Sequence, residues 1–203
     1  LAEKSIEPVI PAEADFPYAI RVTSEVMESN GSTSMASVCS GVMSLLDAGV
    51  PLIRPVAGIS CGLVTEFEGD DLKRYVTMID IIGNEDFMGD MDFKLCGTSQ
   101  GVTGFQLDLK LSGLSLDILL EGVDKATKGR AQVLDVMNQV ISTPKTLSEH
   151  APRMETIKID PQKIGELIGP GGKNIKGIQA ETGADINISD DGSVSIYAAH
   201  QEA

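Results

Sequence analysis

Positive charge is scarce in this chain: 16 lysines and arginines stand against 30 aspartates and glutamates in 203 residues, a formal net charge of −14. The deficit runs throughout, with 11 basic against 22 acidic residues before Arg153 and 5 against 8 from Arg153 onward. Nothing in this balance advertises a broad basic surface for nucleic acid; composition argues mildly against such binding, and contact with a polyanion must rest on local sites and on metal ions that offset the repulsion. Cysteine is sparse too. Cys39, Cys61 and Cys96 are odd in number, far apart and set among apolar or small residues. That excludes a disulfide framework and a zinc site, and reads as reduced core thiols of a cytoplasmic protein. A secretory leader and an apolar run of bilayer length are both missing, so no membrane partner is expected. The chain opens at Leu1 and stops at Ala203, as expected of a fragment.

A hydrophobic content of 42% is ordinary for a soluble protein and suffices for a core in one or two domains. The most distinctive stretch is DIIGNEDFMGDMDFK, Asp80 to Lys94. Tyr75 to Ile82 reads as a short buried strand that empties into an acidic loop, where Glu85, Asp86, Asp90 and Asp92 are expected to converge. Beyond it Met91, Phe93 and Leu95 alternate with Asp92 and Lys94, so an acid and an amine share one face of a strand. Carboxylates beside a lysine suit magnesium, which takes one or two carboxylates and fills its shell with water and substrate phosphates. A solvated acidic loop is the plainer reading of the same residues.

A second feature lies upstream. Tyr18, Ile20, Val22 and Val26 alternate with polar neighbours and predict a half-buried strand. Asn30 and Gly31 mark a turn, and Ser32, Thr33 and Ser34 precede Met35, Val38, Val42, Leu45 and Leu46, one face of a helix that Gly49 and Pro51 end. Free N–H groups, the helix dipole and three hydroxyls make this either a plain cap or an anion site. Pro55 to Thr65 reads as a strand followed by an acidic turn, Glu66 to Asp71. Phe105 to Leu111 reads as an antiparallel return strand with Asp108 and Lys110 on a solvated face. Ser115 to Ile141 reads as a long amphipathic helix in which Gly129 marks close packing or a kink.

After a linker at His150 to Pro152 the pattern changes. Glu155 to Ile159 is strand-like, Pro161 opens a helix over Gln162 to Ile168, and GPGG follows, Gly169, Pro170, Gly171 and Gly172. Lys173 to Glu181 is a second helix ended by Gly183, and a hairpin turns at Asp190 to Gly192. The order is strand, helix, GxxG, helix, strand, strand.

LIGPGGKNI in that order resembles the KH domain, whose GxxG loop clamps about four backbone nucleotides. Glycines let phosphates approach backbone N–H groups at a helix start, where Lys173 and Lys176 add charge. The similarity covers about residues 154 to 203 and lacks the family's final helix. The preceding segments FPYAIRVTSEVMESNGSTSMASVCSG and GDMDFKLCGTSQGVTGFQLDLK resemble the second ribonuclease PH-like core of the polynucleotide phosphorylase family, in which core and KH follow in this order. The resemblance implies an α+β fold: a ribonuclease PH-like core over residues 1–150 and a truncated KH domain over 151–203. It implies a phosphate-dependent 3′-to-5′ exoribonuclease of mRNA decay that acts on single-stranded RNA. Such an enzyme releases nucleoside diphosphates, runs in reverse as a polymerase, and works as a homotrimer and within an RNA-degradation complex. By position, Ser32, Thr33 and Ser34 would bind the attacking phosphate. Asp86, Asp92 and Lys94 would form the catalytic cluster, with Mg2+, or Mn2+ in its place, held by Asp86 and Asp92. Phosphate itself is then the nucleophile, and neither His150 nor His200 lies near the motifs.

Two rival classes remain open. One is a catalytically inactive core whose KH domain makes it an RNA-binding scaffold. The other is a hydrolytic two-metal nuclease, which would release monophosphates without added phosphate. The family's other core, helical segment and OB-fold domain do not occur in these 203 residues.

Overall fold

The structure is a computed structural model, and it describes residues 1–199; His200 lies outside the described residues. The chain divides into two compact units, Leu1–Thr146 and a second beginning at Leu147.

The first unit opens with α1 (Ala2–Ile6) and a 3-10 turn, and continues through α2 (Thr33–Asp47) into strands β1 (Ala57–Glu68) and β2 (Asp71–Ile79). A short helix α3 (Gly83–Met88), β3 (Met91–Gly97), β4 (Val102–Leu109) and the long α4 (Leu116–Val140) complete it. The four strands form an antiparallel sheet in the order β2-β1-β3-β4. Alternation divides its faces. Ile59, Cys61 and Leu63 of β1 and Met91, Phe93 and Leu95 of β3 pack with Ile118 and Ala126 of α4. Cys96 faces the other way, into a cluster with Met35, Val38, Val42, Leu45 and Leu46 of α2. Gly129 is where α4 closes on the sheet, since a Cβ there would stand 2.6 Å from Ile59 Cδ1. Ser115 caps α4 by accepting a hydrogen bond from the Ile118 amide.

Three expectations are corrected here. Residues 18–26 form no strand. They lie along α2 instead, with Ser24 Oγ 2.7 Å from Ser37 Oγ and Val22 against Gly41. The alternation lays side chains onto a helix flank, and no sheet edge pairs with the backbone. Tyr75 to Ile82 is not a buried strand. β2 is the sheet's outer strand, largely exposed, and ends at Ile79 because Asp80 turns the chain at φ 56°. β1 runs on to Glu68, so the turn to β2 is confined to Gly69 and Asp70, with Gly69 at φ 63°.

In the second unit β5 (Arg153–Lys158) leads through a 3-10 turn at Pro161–Lys163 to α5 (Ile164–Ile168). The glycine loop, α6 (Lys173–Thr182), β6 (Asp185–Ile188) and β7 (Ser193–Ala198) follow. The sheet order is β5-β7-β6, all antiparallel, and Gly183 at φ 73° ends α6. Among the described residues no helix is long and apolar enough to cross a membrane.

Candidate active site and RNA-binding loop

The sheet face under α2 is built on very small residues. Gly58, Ser60 and Gly62 alternate along β1 and stand opposite Cys96, Lys94 and Asp92 of β3. A Cβ on Gly58 would meet Met35 Sδ at 2.6 Å, and one on Gly62 would meet Ile81 Cγ2 at 2.7 Å. Met35 in the first turn of α2 thus covers the Gly58/Cys96 pair and Ile81 covers Gly62/Asp92. Between them lies Ser60/Lys94, with about 7 Å between successive same-face pairs. The loop before α2 bridges the two footprints: Gly31, at φ 108°, packs against the Ile81 carbonyl, and the Asn30 carbonyl accepts a 2.8 Å hydrogen bond from Gly83 N–H. Ser60 ties the far side, its Oγ accepting from Ile81 N–H and its carbonyl from Asp80 N–H.

Asp92 and Lys94 meet on this face, with Oδ2 and Nζ 2.5 Å apart. Asp92 is only 5% exposed, and its second oxygen, Oδ1, is buried with no hydrogen-bond partner. Ser32 takes the left-handed conformation at the start of α2, and its Oγ is likewise buried and unpartnered. Ser32 also lines a cavity of about 560 Å³ with Gly31, Ser60 and Asp80. Neither Asp86, Asp92 nor Lys94 lines that cavity. Thr33 and Ser34 form the first turn of α2.

The four carboxylates of the acidic stretch do not converge. Glu85 accepts from the Ile82 amide and caps α3, while Asp90 Oδ2 accepts from both the amide and the hydroxyl of Thr65 at 2.7 Å. Both are committed to holding the backbone. Asp86 and Asp92 remain, and among the described residues no group of three His, Cys, Asp or Glu side chains is placed to hold a metal. Asp86 sits on α3, where its own carbonyl and that of Phe87 accept hydrogen bonds from Lys110 Nζ. Sequence reasoning set Lys110 aside as solvated, yet it fastens the helix that carries Asp86. Asp108, set aside with it, stands directly across from Asp92. Ser60 and Asp80 were not singled out; the tiny residues alternating through GISCG were the available sign of a close approach over the sheet.

The glycine loop of the second unit places Gly169, Gly171 and Gly172 at φ 70°, 61° and 80°. Asn174 reaches back across it, donating to the Glu166 carbonyl at 2.8 Å. A Cβ at Gly171 would meet nothing within 4 Å, and Lys173 and Lys176 are exposed beside it. The backbone is therefore open to a phosphate at the start of α6.

Comparison with known proteins agrees with both halves. Residues 154–203 match the KH domain family and residues 1–51 match domain 1 of the 3′ exoribonuclease family. The fold is that of a ribonuclease PH-like core joined to a KH domain. Across its whole length the chain is a relative of the polyribonucleotide nucleotidyltransferases. It is 68% identical to that of Akkermansia muciniphila over 203 residues, 100% of this chain and 28% of the relative. It is 58% identical to that of Methylacidiphilum infernorum (100% and 29%) and 56% identical to that of Opitutus terrae (100% and 28%). The chain thus spans less than a third of the length of these relatives. The crystal structure of rice (Oryza sativa) Rrp46 is similar with a TM-score of 0.46 and 16% identity over 57% of this chain and 50% of that one, too slight to carry weight.

Proposed function

We propose that this chain is the phosphate-binding, catalytic and RNA-clamping part of a phosphorolytic 3′-to-5′ exoribonuclease. The observation that carries the reading is that Gly31 and Met35, on either side of the three hydroxyls, pack against Ile81 and Gly58, which flank the Ser60/Lys94 pair on the sheet face that presents Asp92 and Lys94. An oxyanion held at the start of α2 by free amides and the hydroxyls of Ser32, Thr33 and Ser34 would lie toward the sheet face that carries Lys94. Inorganic phosphate is the nucleophile: one of its oxygens bonds to the terminal phosphorus of the RNA, and the bond from that phosphorus to the preceding 3′ oxygen breaks. The departing oxygen takes a proton from Asp92 or from a water ordered by it, and a nucleoside diphosphate leaves. Lys94 offsets negative charge in the transition state. Reversal of the same steps extends RNA from diphosphates.

The unpartnered Oδ1 of Asp92 is an oxygen that suits a cation, with Asp86 from α3 as the second carboxylate. Magnesium there, or manganese in its place, would withdraw charge from the scissile phosphate. Gly169 to Gly172 with Lys173 and Lys176 hold single-stranded RNA by its backbone. We further assign a cytoplasmic, homotrimeric protein that joins other enzymes of mRNA decay, with no membrane partner.

The reading is tested by steady-state phosphorolysis with single variants of the native polypeptide. Ser34→Ala raises KM for phosphate about tenfold with a smaller change in kcat, and Asp92→Asn lowers kcat by about 100-fold or more. Full activity of Asp92→Asn in saturating magnesium overturns the assignment.

A further inference from the structure

The remaining buried charge of the first unit lies away from this site. Arg130 of α4 is 6% exposed, and its Nε and Nη1 are both buried without a hydrogen-bond partner. Among the described residues it forms no ion pair. A guanidinium stays charged and presents a fork of donors, so burying it alone is unfavourable unless an acceptor meets it.

Arg130 lines a cavity of about 200 Å³ with Pro55, Thr98, Ser99, Thr127 and Asn138. Its Nη1 lies beside Gly97, 2.6 Å from where a Cβ would stand, so a side chain at 97 would block the guanidinium. The lining has donors to spare. Thr98 Oγ1 already accepts from the Gln100 amide, which leaves its proton to donate outward. Thr127 does not contribute, because its hydroxyl donates to the Val123 carbonyl. Asp135 also lines the cavity and is exposed, so it makes the one repulsive contribution. Burial lowers the pKa of Arg130, the nearby Cys96 thiol opposing the shift, and an anion in the cavity would relieve that cost of burial.

We propose that Arg130 and Thr98 anchor a second anion site, at the β3–β4 turn, for a small tetrahedral oxyanion of the inorganic phosphate class. A guanidinium fork with hydroxyl and amide donors from other directions suits a tetrahedral ion better than a planar carboxylate. The volume, about 200 Å³, lies below that of pockets for drug-sized ligands and suits free phosphate better than a nucleotide. The site is separate from the phosphate loop: Thr98 is six residues along from Asp92, about 20 Å, and Arg130 approaches from the helix on the opposite face of the sheet.

The test is the stoichiometry of labelled inorganic phosphate in equilibrium dialysis against the chain and its Arg130→Met variant. The expected result is the loss of one site per chain in Arg130→Met, whether or not the α2 loop also binds, and at least tenfold weaker binding at that site in Thr98→Val. Should Arg130→Met not fold, Arg130→Lys keeps the charge without the fork and is expected to weaken one site about tenfold. Equal stoichiometry and affinity in Arg130→Met, or in Arg130→Lys if that is the variant used, overturns the site. Displacement by acetate as effective as by sulfate overturns the oxyanion class, and tighter binding of a nucleoside monophosphate than of phosphate overturns the free ion.

Discussion

Asp92 Oδ2 lies 2.5 Å from Lys94 Nζ while Asp92 Oδ1 is buried and has no partner at all. One oxygen of this carboxylate is neutralised inside the sheet and the other is left for something else to satisfy.

Breaking the pair from the lysine side leaves a buried carboxylate alone. Lys94→Met is expected to destabilise the first unit by about 3 kcal/mol, and Asp92→Asn combined with it to recover most of that loss. Urea denaturation of the two singles and the double gives the coupling directly. Additive losses would mean that the two side chains do not interact.

Gly31 is held at φ 108° with the Ile81 carbonyl and Gly83 amide within 3 Å of where a Cβ would go. Gly31→Ala is therefore expected to cost about 2 kcal/mol and to displace the hydroxyl loop. Phosphate affinity measured beside thermal stability should fall in this variant, with Gly69→Ala as the control. Gly69 has a positive φ but open space around it, so it strains a turn without touching the loop.

Glu121 on α4 receives hydrogen bonds from Thr77 and Tyr75 of β2 and pairs with Lys125 at 3.0 Å. Hydrogen bonds from Thr77, Lys125 and Tyr75 hold its pKa down at about 2 against an ordinary 4.5. Between these values the unfolded chain binds the proton and the folded one does not. The stabilisation is thus complete above pH 4.5 and drains away as pH falls toward 2. Glu121→Gln should flatten the fall of stability across that window and leave the slope above it unchanged. An unaltered acid limb in the variant would contradict the linkage.

In the second unit the charge of Lys173 and Lys176 lies beside the open glycine loop. Replacing either with alanine should weaken single-stranded RNA binding for every sequence alike and reduce the slope of log affinity against log salt by about 0.7. Gly171→Asp should abolish binding at a modest cost in stability, because a side chain there meets open space within the unit and is strained only by the positive φ of 61°, yet carries like charge toward a phosphate. Unchanged salt slopes would remove these lysines from the interface.

What could be read from sequence followed from local period. The helices α2 and α4, the hairpin of β3 and β4, and the KH order all announce themselves by spacing and by glycine. The face-sharing of Asp92 and Lys94 needs only alternation. What failed depends on partners far away in sequence. Residues 18–26 alternate like a strand, but alternation reports two sides of a segment and not which element receives them. Asp90 looks like a metal ligand until Thr65, 25 residues earlier, is found to occupy it. Lys110 looks solvated until α3 folds over to meet it. Arg130 sits in a helical stretch whose polar positions are mostly exposed, and it is buried where its guanidinium lies beside Gly97, whose missing Cβ leaves room for it.

The central claim is that phosphate bound at the α2 loop attacks RNA held over Asp92 and Lys94. The most direct measurement supplies the native polypeptide with magnesium, single-stranded RNA and radiolabelled inorganic phosphate, and follows the label. The account predicts that decay stops without phosphate and that every released nucleotide is a nucleoside diphosphate carrying the label on its β-phosphorus. Unlabelled nucleoside monophosphates released at the same rate without phosphate would contradict it.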